Sequence, residues 1–192
     1  MKDELSEEEP LPIVKPPFLP PLDPVKASQT LTLVMDLDET LVHYREEDNT
    51  ILVRPGTDHF LKVLSKYYEI IVFTAALQDY ADCAIDYIDP DKAIKYRLYR
   101  QHTTLNDNGF VKDLSKLGRD LKRVIIVDNI KDNFQLQEEN GIWIKSWDDD
   151  LEDNALFELC ELLKRNLFYL IIEVALAKPI DIRETLITIG SQ

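Results

Sequence analysis

Leu31-Thr32-Leu33-Val34-Met35-Asp36-Leu37-Asp38-Glu39-Thr40 is the stretch on which the fold turns. A short apolar run that stops at polar residues reads as a strand buried on both faces. Two later runs have the same form. Residues 69–73 (EIIVF) lead into Thr74, and residues 123–127 (RVIIV) lead into Asp128 and Asn129. Between the first two runs, residues 58–67 place Phe60, Leu61, Val63 and Leu64 at helical spacing after a Thr57/Asp58 capping signal. Between the second and third, residues 79–88 read as a helix stopped before Pro90. Strands alternating with helices need crossover connections. The pattern therefore predicts an α/β, three-layer, Rossmann-like domain with a mostly parallel central sheet covered on both faces. Such sheets bind ligands beyond the carboxyl ends of their strands, which is where the acids, the amide and the hydroxyl stand.

The remaining chain fits around this frame. Residues 49–53 read as a hairpin strand, 96–99 as a further strand, 114–121 as a short helix interrupted near Gly118, and 141–144 as a last strand. Acids crowd residues 148–153, where they suit the dipole of a final helix running through Leu163 and beyond. The apolar run 166–177 reads as that helix's core face rather than an exposed interface. Seven of the ten prolines fall between Pro10 and Pro24, so residues 1–28 read as an extended leader and 29–192 as the folded domain.

Composition narrows the function. The 192 residues carry a formal charge of −14, which disfavours direct nucleic-acid binding and suits cationic partners. Cys83 and Cys160 are too few for a disulfide framework or a four-cysteine zinc site, and both read as reduced core thiols. The acidic N-terminus resembles no secretory or transit signal, and no apolar run is long enough to span a bilayer. An intracellular protein is expected, in the nucleus or cytoplasm rather than the mitochondrion.

Asp36 and Asp38 project to the same side of an extended backbone. Two carboxylates this close repel unless a cation lies between them or one holds a proton. Oxygen ligands with no cysteine or histidine favour a hard ion such as Mg²⁺. One acid can then attack phosphorus while the other moves the proton. Other acid-rich or phosphate-binding patterns do not fit. A calcium loop needs Gly where Leu41 stands, and neither GxxxxGK nor GxGxxG occurs.

These residues resemble the haloacid dehalogenase superfamily. DLDETLVH at 36–43 resembles its first motif, FTAA at 73–76 its second, VKDLSKLGRDL at 111–121 the lysine motif, and IIVDN at 125–129 the fourth. The wording is similar to that of the small phosphatases of the RNA polymerase II C-terminal domain and their NLI-interacting-factor relatives. The resemblance implies a capless Mg²⁺-dependent phosphoprotein phosphatase working through an aspartyl-phosphate on Asp36. Asp38 would be the general acid and base, and Lys112 and Thr74 would contact phosphoryl oxygens. Asp128 would order Lys112. Asp36, the Asp38 carbonyl and Asn129 would hold Mg²⁺. Thr40 and Arg100 would join the substrate contacts, Arg100 having a surface ion pair as its alternative. The expected substrate carries phosphoserine in a flexible segment, as the polymerase tail does. Tyr80 reads as a plain helix aromatic, and His43 and His59 as structural.

A second resemblance is to the receptor subunit of the mitochondrial presequence translocase, which implies a non-enzymatic or dual role in binding basic peptides. The proline-rich leader and the short link VHYREEDNTILVRPG at 42–56 carry it. The link is shorter than in the polymerase-tail phosphatases, and Ile130 to Glu139 departs from their DNSP wording.

Overall fold

The computed structural model describes residues 11–107 and 109–175, with side chains of the last helix described as far as Arg165. A helical turn, α1 (Pro24–Ala27), precedes β1 (Leu31–Met35). The chain continues through the hairpin β2 (Val42–Arg45) and β3 (Thr50–Val53), helix α2 (Thr57–Leu64), β4 (Tyr68–Phe73), helix α3 (Gln78–Ile88) and β5 (Ile94–Leu98). A second hairpin follows, β6 (Thr104–Asn106) and β7 (Gly109–Val111). Then come β8 (Val124–Asp128), β9 (Gly141–Trp143) and helix α4 (Ala155–Ala175).

The main sheet has the order β5-β4-β1-β8-β9 and every pairing in it is parallel. The expected central parallel sheet is therefore present. β1 lies in the middle, with Met35 in register with Val72 on one side and Val127 on the other. The chain leaves β1 toward β4 and β5, then returns to place β8 on β1's other flank. That reversal opens a crevice at the carboxyl ends of β1, β4 and β8. Among the described residues, hairpins, single helices and 3₁₀ turns fill the insertion points on either side of β4, and no separately folded cap is present.

Alternation along each strand divides the core in two. Leu31, Leu33, Met35, Ile70, Val72, Ile125 and Val127 pack under α2, α3 and α4. Val34, Ile71, Phe73, Val124 and Ile126 face the other way, toward Leu114, Leu117, Phe134 and Leu19. The second face is thus covered by 3₁₀ turns and the leader rather than by long helices. Phe18 and Leu19 donate backbone hydrogen bonds to the carbonyls of Lys116 and Leu117, and Leu19 is buried.

Several elements differ from their sequence reading. In place of one short helix over 114–121 there are two 3₁₀ pieces, Leu114–Leu117 and Leu121–Arg123, because Gly118 takes a left-handed φ of 77° and ends the first. The second helix is entered through Gly56 at φ 88°, so Thr57 is its first residue rather than its cap, and its hydroxyl donates to Arg54 O. The last helix starts at Ala155, after acids 148–153 have made turns. Residues 104–106 and 109–111, to which the sequence reading assigns no element, pair as a hairpin with Leu105 opposite Phe110. Cys160 is buried as expected, but Cys83 is exposed. The side chains of residues 166–177, read as core, lie outside the described residues.

Candidate active site

Three neighbouring strands bring the polar residues together. Asp36 follows β1, and its N–H donates to Val127 O at 2.9 Å, so the sheet hydrogen bonding continues into the acid. The chain then turns tightly. The N–H groups of Leu41 and Val42 both donate to Leu37 O, and Glu39 takes a positive φ of 59°. This turn swings Asp38 to the crevice while Asp36 stays almost buried.

Lys112 is the hub. Its side chain is fully buried, and Nζ is paired with Asp36 Oδ1 and, at 2.6 Å, with Asp128 Oδ2. The β6–β7 hairpin delivers it, and Lys112 N–H donates to Asn133 O at 2.7 Å. Thr40 is also fully buried and donates to Asp36 Oδ2 at 2.9 Å, which places its hydroxyl behind the carboxylate. Asp128 accepts further bonds from Ile130 N–H and Asn133 Nδ2. Asp38 sits between two hydroxyls: Tyr80 donates to Oδ1 at 2.7 Å and Thr74 to Oδ2 at 3.2 Å. Thr74 is held in turn by Ala76 N–H, which donates to its Oγ1.

The charges do not balance. Asp36, Asp38 and Asp128 are three carboxylates against the one ammonium of Lys112. Burial, and then Asp36, push the Asp38 carboxyl above its ordinary range against the Tyr80 and Thr74 hydrogen bonds. Burial likewise pushes Asp128 up to about 6, opposed by Lys112. Burial alone would disfavour the Lys112 ammonium, but the two carboxylates outweigh it and hold its pKa above the usual lysine value. Excess negative charge at an oxygen-lined crevice is an environment for a divalent cation. Asn129 stands at the rim, with Nδ2 donating to Ser146 Oγ at 3.0 Å, so its remaining amide atom is an oxygen. Asp36, Asn129 and the Asp38 backbone offer oxygen donors only, which fits a hard cation.

Beside Asp38 lies a shallow groove of about 400 Å³ lined by Tyr44, Ala75, Ala76, Tyr80 and Arg100. Arg100 is on its edge. Nε donates to Ala75 O at 2.6 Å, and the guanidinium lies over the Phe110 ring.

Residues 31–170 match the family model of NLI interacting factor-like phosphatase. The chain belongs to that family. Its relatives include a probable C-terminal domain small phosphatase of Dictyostelium discoideum, 43% identical over 150 residues, covering 69% of this chain and 49% of the relative. A mitochondrial import inner membrane translocase subunit TIM50 of Candida glabrata is 40% identical over 149 residues, covering 74% of this chain and 31% of the relative. The chain thus spans about half or less of these relatives. Among solved structures, Fcp1, an RNA polymerase II CTD phosphatase, superposes with a TM-score of 0.54 at 21% identity, covering 77% of this chain and 51% of that one. The likeness shows the fold.

Within this family frame, two residues read as bystanders take part in the site's geometry. Tyr80 is the shortest side-chain contact of Asp38 and stands in the first turn of α3, six residues after Thr74. His43, read as structural, has Glu39 four residues before it, with Nδ1 at 2.8 Å from Oε1. Burial pushes the Glu39 carboxyl up, as does its contact with Asp148, against the pull of His43. Arg54, in the RPG link, is buried and bridges the motif-one turn to the start of α4 through Thr40 O and Asp153. Arg100 makes no ion pair among the described residues.

Proposed function

We propose that this chain is a phosphomonoesterase of phosphoproteins, with Asp36 as nucleophile and Asp38 as general acid and base. The observation that carries the reading is the buried Lys112 ammonium shared by Asp36 and Asp128 at the ends of two adjacent strands, with Asp38 alongside. Lys112 has three N–H donors, and two are committed to carboxylates. The third can meet a phosphoryl oxygen as Asp36 attacks phosphorus in line. Thr40 and Lys112 hold both oxygens of Asp36, so the nucleophile is oriented before substrate arrives. Thr74, at the rim of the same crevice, can turn its one hydroxyl proton from Asp38 to a second phosphoryl oxygen. Asp38, held beside Asp36 by Tyr80 and Thr74, would give a proton to the leaving serine alkoxide, and the resulting carboxylate would then accept the proton of the hydrolytic water.

A carboxylate meeting a dianionic phosphate needs more positive charge than one lysine supplies. Mg²⁺ held by Asp36, the Asp38 carbonyl and Asn129 would supply it. Arg100 and the aromatic groove would contact residues flanking the phosphoserine, and the polymerase C-terminal tail is one such substrate. The test is hydrolysis of a phosphoserine peptide by metal-stripped protein. Activity should be absent with chelator, return with Mg²⁺ and be blocked by beryllium fluoride. Full activity in chelator would overturn the reading.

The translocase relatives support a second reading, binding of basic peptides by a −14 chain. It predicts presequence-like peptides that bind with steep salt dependence, whether or not phosphate is released.

A further inference from the structure

Glu39, His43 and Asp148 converge beside the motif-one turn, with one ligand atom from each within 4.8 Å of the other two. His43 Nδ1 lies 2.8 Å from Glu39 Oε1 and 2.9 Å from Oε2, so the carboxylate is turned fully onto the ring. The backbone fixes this placement. Glu39 N–H donates to Val42 O at 2.7 Å, and Glu39 O accepts from Trp147 N–H at 2.8 Å. The second bond brings Asp148, the next residue, to the cluster. Among the described residues neither carboxylate has a lysine or arginine within ion-pair distance, and no other group of three His, Cys, Asp or Glu side chains meets in this way.

An imidazole nitrogen that meets one carboxylate directly and has a second within 4.8 Å differs from a merely acidic patch. One nitrogen and two oxygens match the donor set of a borderline dication such as Zn²⁺, with water as a further ligand. Mg²⁺ gains nothing from imidazole, so this donor set separates the cluster from the oxygen-only crevice at Asp36. We propose that Glu39, His43 and Asp148 form a Zn²⁺-type transition-metal site. The bound ion takes the place of the proton between His43 and Glu39. It ties the motif-one turn to the 144–148 loop, whose Ser146 accepts the Asn129 hydrogen bond. This site stands whether or not the crevice hydrolyses phosphate.

The test uses the full chain in a Cys83→Ser background, because the exposed thiol would compete for zinc. Metal-stripped protein in excess Mg²⁺ is titrated with zinc chloride by calorimetry, and thermal unfolding is followed in parallel. One equivalent should bind and raise Tm. His43→Ala and Asp148→Asn should each weaken binding by about tenfold or more and lose the Tm rise. His43→Gln serves if the alanine variant unfolds. No zinc binding, displacement by Mg²⁺, or variants that bind within about twofold of the parent would each overturn the proposal.

Discussion

At the scale of single residues the account rests on how Asp38 is held. Its carboxyl is raised by burial and by Asp36, and Tyr80 supplies the largest opposing interaction. Tyr80→Phe removes that hydrogen bond and leaves the ring in place. A hydrogen bond to a charged group is worth about 1.5–3 kcal/mol, so kcat should fall about tenfold or more. The sign of the pH effect follows from the same contact. Losing a donor to the carboxylate raises the Asp38 pKa further, so the protonated acid persists to higher pH. In the pH profile of the phosphorylation step, measured with an alkyl phosphate leaving group, the basic limb should move upward. A limb that stays or moves down would remove Asp38 as the acid. Tyr80 also shows where the sequence stopped being legible. Asp36, Asp38, Thr74 and Asp128 stand at or just past the carboxyl ends of strands, so their meeting point could be read from the strand pattern. Tyr80 reaches Asp38 only through the pose of α3 on the sheet, which no local pattern encodes.

Between elements, the connections matter as much as the strands. Arg54 is almost wholly buried and makes two hydrogen bonds to Asp153, with Nη1 donating to Thr40 O. It joins the hairpin β2–β3, the motif-one turn and the start of α4. Arg54→Met leaves Asp153 without its partner and should cost about 3 kcal/mol in urea unfolding at neutral pH. The hydrogen bond from Arg54 is the main reason Asp153 sits below its ordinary pKa. A depressed folded pKa adds stability above the unfolded value of about 3.8, and that stability is lost as pH falls through the folded value. The gap between parent and variant should therefore shrink below about pH 4. An unchanged gap there would mean packing, not charge, holds the joint. The main strands and helices were readable because buried runs and 3.6-residue spacing are local signals. The β6–β7 hairpin and the 3₁₀ pieces were not, since three-residue elements carry no periodicity and depend on Gly118 and on packing against Leu19.

For the molecule as a whole, the proposed substrate class follows from what surrounds the crevice among the described residues, where hairpins, single helices and 3₁₀ turns stand on either side of β4. The crevice opens onto a shallow groove, so it encloses little of a small metabolite and leaves room for an extended peptide. Phosphoserine peptides should be preferred over sugar phosphates and nucleotides by kcat/KM. A metabolite preferred by more than about tenfold, roughly 1.4 kcal/mol, would contradict the phosphoprotein assignment.

The central claim is that Asp36 becomes phosphorylated during turnover. The direct measurement is acid quench of protein turning over a labelled phosphoserine peptide, followed by borohydride reduction and peptide mapping. The account predicts label that is labile at alkaline pH and conversion of residue 36 to homoserine, both lost in Asp36→Asn. Turnover with residue 36 unmodified, or label on any other side chain, would contradict it.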